Sequence, residues 1–283
     1  MRDPRPLARD TLRRVGALWG RLARRRRELI ALLSLLAASG GLALFMELAD
    51  AADDEAHALD TRLLLALRAP DDHADPLGPV WVEELARDVT ALGGTGVLAF
   101  WTLAVVGFLF LDRKPHAAWL VLFAVTGGGL LAFGLKDVFD RPRPDLVSHG
   151  ARVLSASFPS AHSLMSAVAY LTLGALLARL RRSWVIRGYL LAVATFLTVA
   201  VGASRVYLGV HWPTDVLAGW SIGAAWAIVC WTAALWLQRR GNVEEDVEED
   251  VEENDEENDE GAAHAPGEHL RSSARADPVV RNR

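Results

Sequence analysis

Three short polar segments of this 283-residue chain carry residue types that can do chemistry together. The first runs Lys136-Asp137-Val138-Phe139-Asp140-Arg141-Pro142-Arg143-Pro144. The second is Ser157-Phe158-Pro159-Ser160-Ala161-His162-Ser163, and the third runs from Ser204 and Arg205 to His211 and Asp215. Lys136, Arg143 and Arg205 supply one ammonium and two guanidinium forks, groups that suit phosphate oxygens. Ser160 follows Pro159 and precedes an apolar run, so it reads as a helix N-cap. The helix start beyond it, with the backbone of Ala161, offers free N–H groups and a positive dipole end to an anion. His162 and His211 titrate near neutral pH, so one can attack while the other donates a proton. Asp215 lies four residues after His211, a spacing at which a carboxylate can accept from the imidazole and fix its tautomer. Such a set would bind a phosphate, attack it with one histidine and protonate the leaving oxygen with the other.

Each segment has a plainer reading on its own. The Lys136–Arg143 cations could be interfacial anchors, His162 and Ser160 could be capping residues, and His211 with Asp215 could be half of a zinc site. Three neighbouring cations would repel a metal ion, which weakens that last reading. The weight lies in the co-occurrence of the segments, in order and, as the spans below require, on one membrane face.

The elements that must position these residues are apolar. Residues AVILMFWYC make up 52% of the chain. Six nearly charge-free runs are long enough to cross a bilayer, which needs about 20 apolar residues. They are Leu29–Leu48, Ala91–Leu111, Ala117–Leu135, Ser163–Leu180, Trp184–Ala203 and Val216–Leu237. A chain in lipid must satisfy its backbone hydrogen bonds internally, so these spans are expected to be helices. The fold class expected is all-α: a polytopic membrane protein of six transmembrane helices. A water-soluble globule is excluded. The single cysteine, Cys230, excludes a disulfide framework within the chain and a Cys-rich zinc site. Between the first two spans, residues 59–68 alternate apolar and charged residues at helical spacing. They read either as an amphipathic helix at the interface or as a small helix packed on the bundle.

Charge divides the chain into three expected regions. Residues 1–28 are basic, with ten Arg, and lead into the first apolar run. A signal peptide has this order, but the run is too long for an ordinary h-region, and an uncleaved first span fits better. Residues 29–238 form the membrane domain, and 239–283 an acidic tail. The formal net charge is −5, yet residues 244–260 hold 13 carboxylates, so the rest sums to −5 + 13 = +8. The tail's four-residue repeat, Val-Glu-Glu-Asp and its variants, has too little apolar surface to fold and is expected to be disordered; its partners are not readable. No nucleic-acid partner is expected. The concentration of Arg at the terminal side puts both termini in the cytoplasm of a cell membrane and the three polar segments on the outward face. Lys136, Arg141, Arg143, Arg152 and Arg205 run against that bias, so they need another reason to be there.

The pattern Lys, six residues, Arg-Pro; Pro-Ser-Gly-His; Ser-Arg, five residues, His, three residues, Asp belongs to the type 2 phosphatidic acid phosphatase family, and this sequence resembles it. Lys136 with Arg143-Pro144, Pro159-Ser160-Ala161-His162, and Ser204-Arg205 with His211 and Asp215 meet it with unbroken spacing. The one departure is Ala161 in place of Gly, which removes no catalytic group. The resemblance covers about residues 29–238. It implies that His211 is the nucleophile and forms a phosphohistidine, that Asp215 orients it, and that His162 is the general acid and then base. Lys136, Arg143, Ser160, Ala161 (through its backbone) and Arg205 would hold the phosphate, while Arg141, off the motif register, would play a supporting part. No metal or other cofactor is implied. The implied activity is hydrolysis of a lipid phosphate or diphosphate at the outer interface, periplasmic or external in a bacterium: phosphatidate, phosphatidylglycerol phosphate or undecaprenyl diphosphate. A phosphotransferase of the same superfamily, or a non-catalytic transporter or scaffold, is the alternative.

Overall fold

The computed structural model describes residues 5–51, 55–145 and 156–239; the acidic tail expected to be disordered lies outside the described residues. Among the described residues eight helices follow in order: α1 (Arg5–Ala51), α2 (Glu55–Leu65), α3 (Val80–Ala91), α4 (Thr95–Leu111), α5 (Pro115–Val138), α6 (Ala161–Arg179), α7 (Trp184–Tyr207) and α8 (Pro213–Arg239). Among the described residues there is no strand, only an isolated bridge between Arg68 and Pro76. Proline opens α5 and α8, where its missing N–H costs nothing.

Among the described residues five helices are apolar and long enough to span a membrane, and six if the bent pair α3–α4 is counted as one span. This second span departs from the expected Ala91–Leu111. A helix of Gly93 and Gly94 would be weak, and the chain instead breaks between Ala91 and Thr95 with a 48° bend. The helix of the first span extends back through the basic segment to Arg5 as one 47-residue element.

Helix α6 lies at the centre: half of its most apolar window is buried, against 6% for α1. It packs on α7, α8, α5 and α4, while α1 lies along α8 and α3 along α7. Large apolar side chains such as Leu33, Phe100, Phe133 and Phe196 face outward and exposed, as in a protein whose solvent is lipid. With lipid on the outside, close packing and interhelical hydrogen bonds hold the bundle rather than exclusion of water. Trp220 Nε1 donates to Thr198 O at 3.0 Å and Trp226 Nε1 to Ala124 O at 2.8 Å, tying α8 to α7 and α5. Glycine makes the closest approach possible. A Cβ on Gly219 would stand 2.7 Å from Ser160 O, and one on Gly223 would stand 2.6 Å from Leu164 O. One face of α8 therefore rests directly on the backbone at the start of α6.

The expected helix at 59–68 is present as α2, but its sides are reversed from an amphipathic pattern. Asp60 and Leu64 are buried, whereas Leu59 and Leu63 are exposed. Helix α2 is thus packed on the bundle, against α8 and α1, with a carboxylate facing inward.

Candidate active site

The C-terminal ends of α5 and α7 and the N-terminal ends of α6 and α8 meet at one end of the bundle, and the three polar segments lie there. Backbone bonds stitch them together. Ser157 N donates to Arg141 O at 2.8 Å, and Ser160 N donates to Asp215 O at 3.0 Å. Trp212 Nε1 donates to Pro142 O at 3.0 Å. Beneath them, Phe45, Phe139 and Phe158 pack ring to ring with centroids 5.1–5.9 Å apart. This floor joins α1 to the first two segments.

His211 is buried, and its neighbours fix its tautomer. Arg143 Nη1 donates to Val210 O at 2.9 Å and lies 3.0 Å from His211 Nε2. A guanidinium only donates, so Nε2 is the bare nitrogen and Nδ1 carries the proton. Nδ1 lies 3.3 Å from Asp215 Oδ2 and 3.3 Å from Ser157 Oγ. Burial pushes the His211 imidazole down to about 3, against the pull of Asp215, so the ring is neutral at neutral pH. Burial likewise lowers Arg143 from its ordinary value, with Asp215 opposing. The Nε2 of His211 thus faces a guanidinium, a neighbour that disfavours a cation at that nitrogen.

Asp215 is held from every side. Its Oδ2 accepts from Ser157 Oγ at 2.5 Å and from Trp212 N at 3.0 Å; its Oδ1 accepts from Arg141 Nη1 at 2.7 Å. The bond from Trp212 N is the back half of a capping box, made by an acid in the first turn of α8.

The other expected residues converge on the same place. His162 interacts electrostatically with Arg205, Arg143 and Lys136, and Lys136 interacts with Arg143, Asp215 and Arg205. Lys136 Nζ donates to Ala156 O at 2.8 Å. Arg205 Nη1 donates to Thr90 Oγ1 at 3.1 Å, while its Nε is buried without a hydrogen-bond partner among the described residues. Ser160 occupies the N-cap position of α6, as expected, but its hydroxyl makes no cap hydrogen bond. It accepts instead from Ser163 Oγ at 3.0 Å. Ala161 is the first residue of α6.

Several participants were not evident in the sequence. Arg141 was expected in a supporting part, but its partners were not: besides Asp215 it reaches Thr214 Oγ1 at 2.7 Å and, through Nη2, Asp60 Oδ2 at 2.8 Å. Ser157 and Thr214 lie inside the segments and could have been flagged as short hydroxyl donors. Asp60, Thr90 and Arg68 carried no local signal. Arg68 is buried and its Nη2 donates to Tyr207 O at 2.7 Å, closing the C-terminal end of α7. Gly209 follows with φ +71°, and a Cβ there would stand 2.4 Å from Arg68 Nη2. Glycine is therefore required both by its backbone and by its neighbour.

Two histidines, a carboxylate and three cations thus gather at one end of a bundle of apolar helices. The PAP2 superfamily pattern matches residues 117–239. The chain is 34% identical over 147 residues to phosphatidylglycerophosphatase B of Bacillus subtilis, covering 50% of this chain and 70% of the relative. It is 30% identical over 139 residues to decaprenylphosphoryl-5-phosphoribose phosphatase of Mycobacterium tuberculosis, covering 46% and 69%. It also resembles the crystal structure of a transmembrane PAP2 type phosphatidylglycerolphosphate phosphatase from Bacillus subtilis. The TM-score is 0.61 at 27% identity, covering 71% of this chain and 96% of that one. The chain belongs to the PAP2 superfamily, in a lineage of membrane phosphatases.

Proposed function

We propose that this protein is a metal-independent hydrolase of a lipid phosphate or diphosphate that works through a phosphohistidine. The observation that carries the reading is the bare Nε2 of His211, held against Arg143 with its proton side on Asp215. An incoming phosphate would take over the Arg143 donor and satisfy the unpartnered Nε of Arg205. Lys136, Ser160 and the first N–H groups of α6, Ala161's included, would hold the other oxygens. This cationic set favours the charge that builds in the transition state. Nε2 attacks phosphorus, the bond from phosphorus to the lipid oxygen breaks, and His162 gives that oxygen its proton. Water then attacks the phosphohistidine, His162 takes the water's proton, and inorganic phosphate leaves with His211 regenerated.

Burying a phosphatase in a bilayer lets the phosphate stay in water while the lipid tail stays in hydrocarbon. The relatives named above act on a phosphatidylglycerol phosphate and on a decaprenyl phosphoribose phosphate. Phosphatidylglycerol phosphate, phosphatidate and undecaprenyl diphosphate are therefore the substrates to try. The excess of Arg near the termini and in the loops on their side of the membrane supports a cytoplasmic location for both termini and an outward-facing site. Residues 1–28 and 239–283 would then flank the membrane domain on the cytoplasmic side.

The test is phosphate release from these three lipids by detergent-purified protein in excess EDTA, with His211→Ala alongside. Release should survive EDTA and fall by at least about 10⁴-fold in the variant. Wild-type turnover in His211→Ala would end the nucleophile assignment. Loss of turnover in EDTA would end the metal-independent one, and a phosphorylated acceptor in place of free phosphate would replace hydrolysis with transfer.

A further inference from the structure

Helix α2 brings one carboxylate into the core, and that carboxylate is bonded to the machinery around His211 from 154 positions away. Asp60 is 1% exposed. Its Oδ1 accepts from the backbone N–H of Thr214 at 3.0 Å and its Oδ2 from Thr214 Oγ1 at 2.5 Å. Thr214 is the second residue of α8, so Asp60 caps the first turn of the helix that carries Asp215. This is an N-cap supplied in trans, by a side chain of another helix. The same Oδ2 receives Arg141 Nη2 at 2.8 Å, while Arg141 Nη1 bonds Asp215 Oδ1 at 2.7 Å. One guanidinium fork thus spans two buried carboxylates, and its planar geometry fixes the separation and orientation of both.

We propose that Asp60 is a positioning residue for His211, acting through Arg141 and Thr214 on Asp215; this rests on the phosphohistidine reading above. Its negative charge divides the attraction of Arg141 between two carboxylates. Without it, the whole of that cation would bear on Asp215 and weaken the hold of Asp215 on His211 Nδ1–H. Without it, too, the Thr214 N–H loses its acceptor and the first turn of α8 is free to shift. Asp60 lies outside residues 117–239, where the superfamily pattern matches, so no motif of the phosphatase segment contains it.

The experiment is a double-mutant cycle on the full chain in detergent, with short-chain phosphatidate as substrate: wild type, Asp60→Asn, Asp215→Asn and the double variant. Asp60→Asn should lower kcat about 10- to 100-fold with KM changed less than about threefold. In the Asp215→Asn background the same substitution should cost less than about threefold, because the group it acts through is already gone. Turnover of Asp60→Asn within about twofold of wild type overturns the proposal, as does an equal loss in both backgrounds, the signature of general damage. Removing one partner of a buried ion pair can unfold a protein, so thermal midpoints are recorded throughout. If Asp60→Asn does not fold, Arg141→Lys takes its place in the cycle. Arg141→Lys keeps a cation but loses the fork, and wild-type kcat in that variant likewise overturns the proposal. The His211→Ala control separates the two claims. If His211→Ala is dead and Asp60→Asn is unimpaired, only the positioning role fails; if His211→Ala is active, the reading beneath it fails.

Discussion

Helices α5–α8 and the loops between them carry Lys136, Arg143, His162, Arg205, His211 and Asp215, whereas α1–α4 carry none of these. The earlier half contributes holders instead: Asp60 on Arg141 and Thr214, Thr90 on Arg205, and Arg68 on the end of α7. The later half is where residues close in sequence meet the proposed phosphate site. The earlier half is where residues distant in sequence fix how those groups point. Reaction chemistry needs particular side chains, so it is concentrated in a compact segment. Orientation needs only a donor or acceptor in the right place, so any neighbouring helix can supply it.

The largest effect expected from this division falls on Arg143. Arg143→Lys keeps the charge but loses the planar guanidinium whose Nη1 bonds Val210 O and lies against His211 Nε2. The expected cost in kcat/KM on a lipid phosphate is about 10²-fold or more, the scale for losing a preorganised donor at a developing charge. Activity within about threefold of wild type would show that a point charge suffices there. The later half would then be less geometrically demanding than its hydrogen bonds imply.

How much of this was legible depended on the range of each contact. His211 and Asp215 are four residues apart at the start of a helix, and Ser160, Ala161 and His162 are consecutive, so the pairing within each segment was readable from spacing. The spans were legible because a bilayer demands long charge-free runs. The break at Leu92–Gly94 was missed as a boundary because apolar character continues through it. Asp60 was hidden by the opposite fault: charge at helical spacing suggested a solvent face, yet the bonds from Arg141 and Thr214 draw it inward while Leu59 and Leu63 face out. A paired buried charge leaves no trace in periodicity. Ser160 shows a third limit, since its position at the start of α6 was readable but the partner of its hydroxyl, Ser163, was not.

Burial of His211 gives the next effect, on stability. Its folded-state value, about 3, lies below the ordinary 6.5 of the unfolded chain. Below pH 6.5 the unfolded state therefore binds the extra proton. The contribution is complete above that pH and is lost on acidification toward 3. At pH 4.5 the loss amounts to about 2–3 kcal/mol relative to pH 7. His211→Gln, which does not titrate, should show a smaller fall in thermal midpoint between pH 7 and 4.5 than the wild type. An equal fall in both would mean that the acid sensitivity belongs to other groups and that His211 is less enclosed than its neighbours suggest.

The smallest effect should come from Thr90, the point where α3 reaches Arg205. Thr90→Val keeps the side chain's shape and removes only the oxygen that receives Arg205 Nη1 at 3.1 Å. Arg205 retains its charge and its place on α7, so on the proposed reading it still reaches the phosphate but is steered less well. One hydrogen bond of this kind is worth about 1 kcal/mol, so kcat/KM should fall about fivefold, and Thr90→Ser should restore it. A loss comparable to that of Arg143→Lys would erase the difference between the two halves, because a residue that only steers would be as costly to remove as one that acts. No loss at all would mean that the packing of α3 on α7 holds Arg205 without the hydroxyl. Orientation by the earlier half would then rest on Asp60 and Arg68, the two groups that bind the ends of the helices themselves.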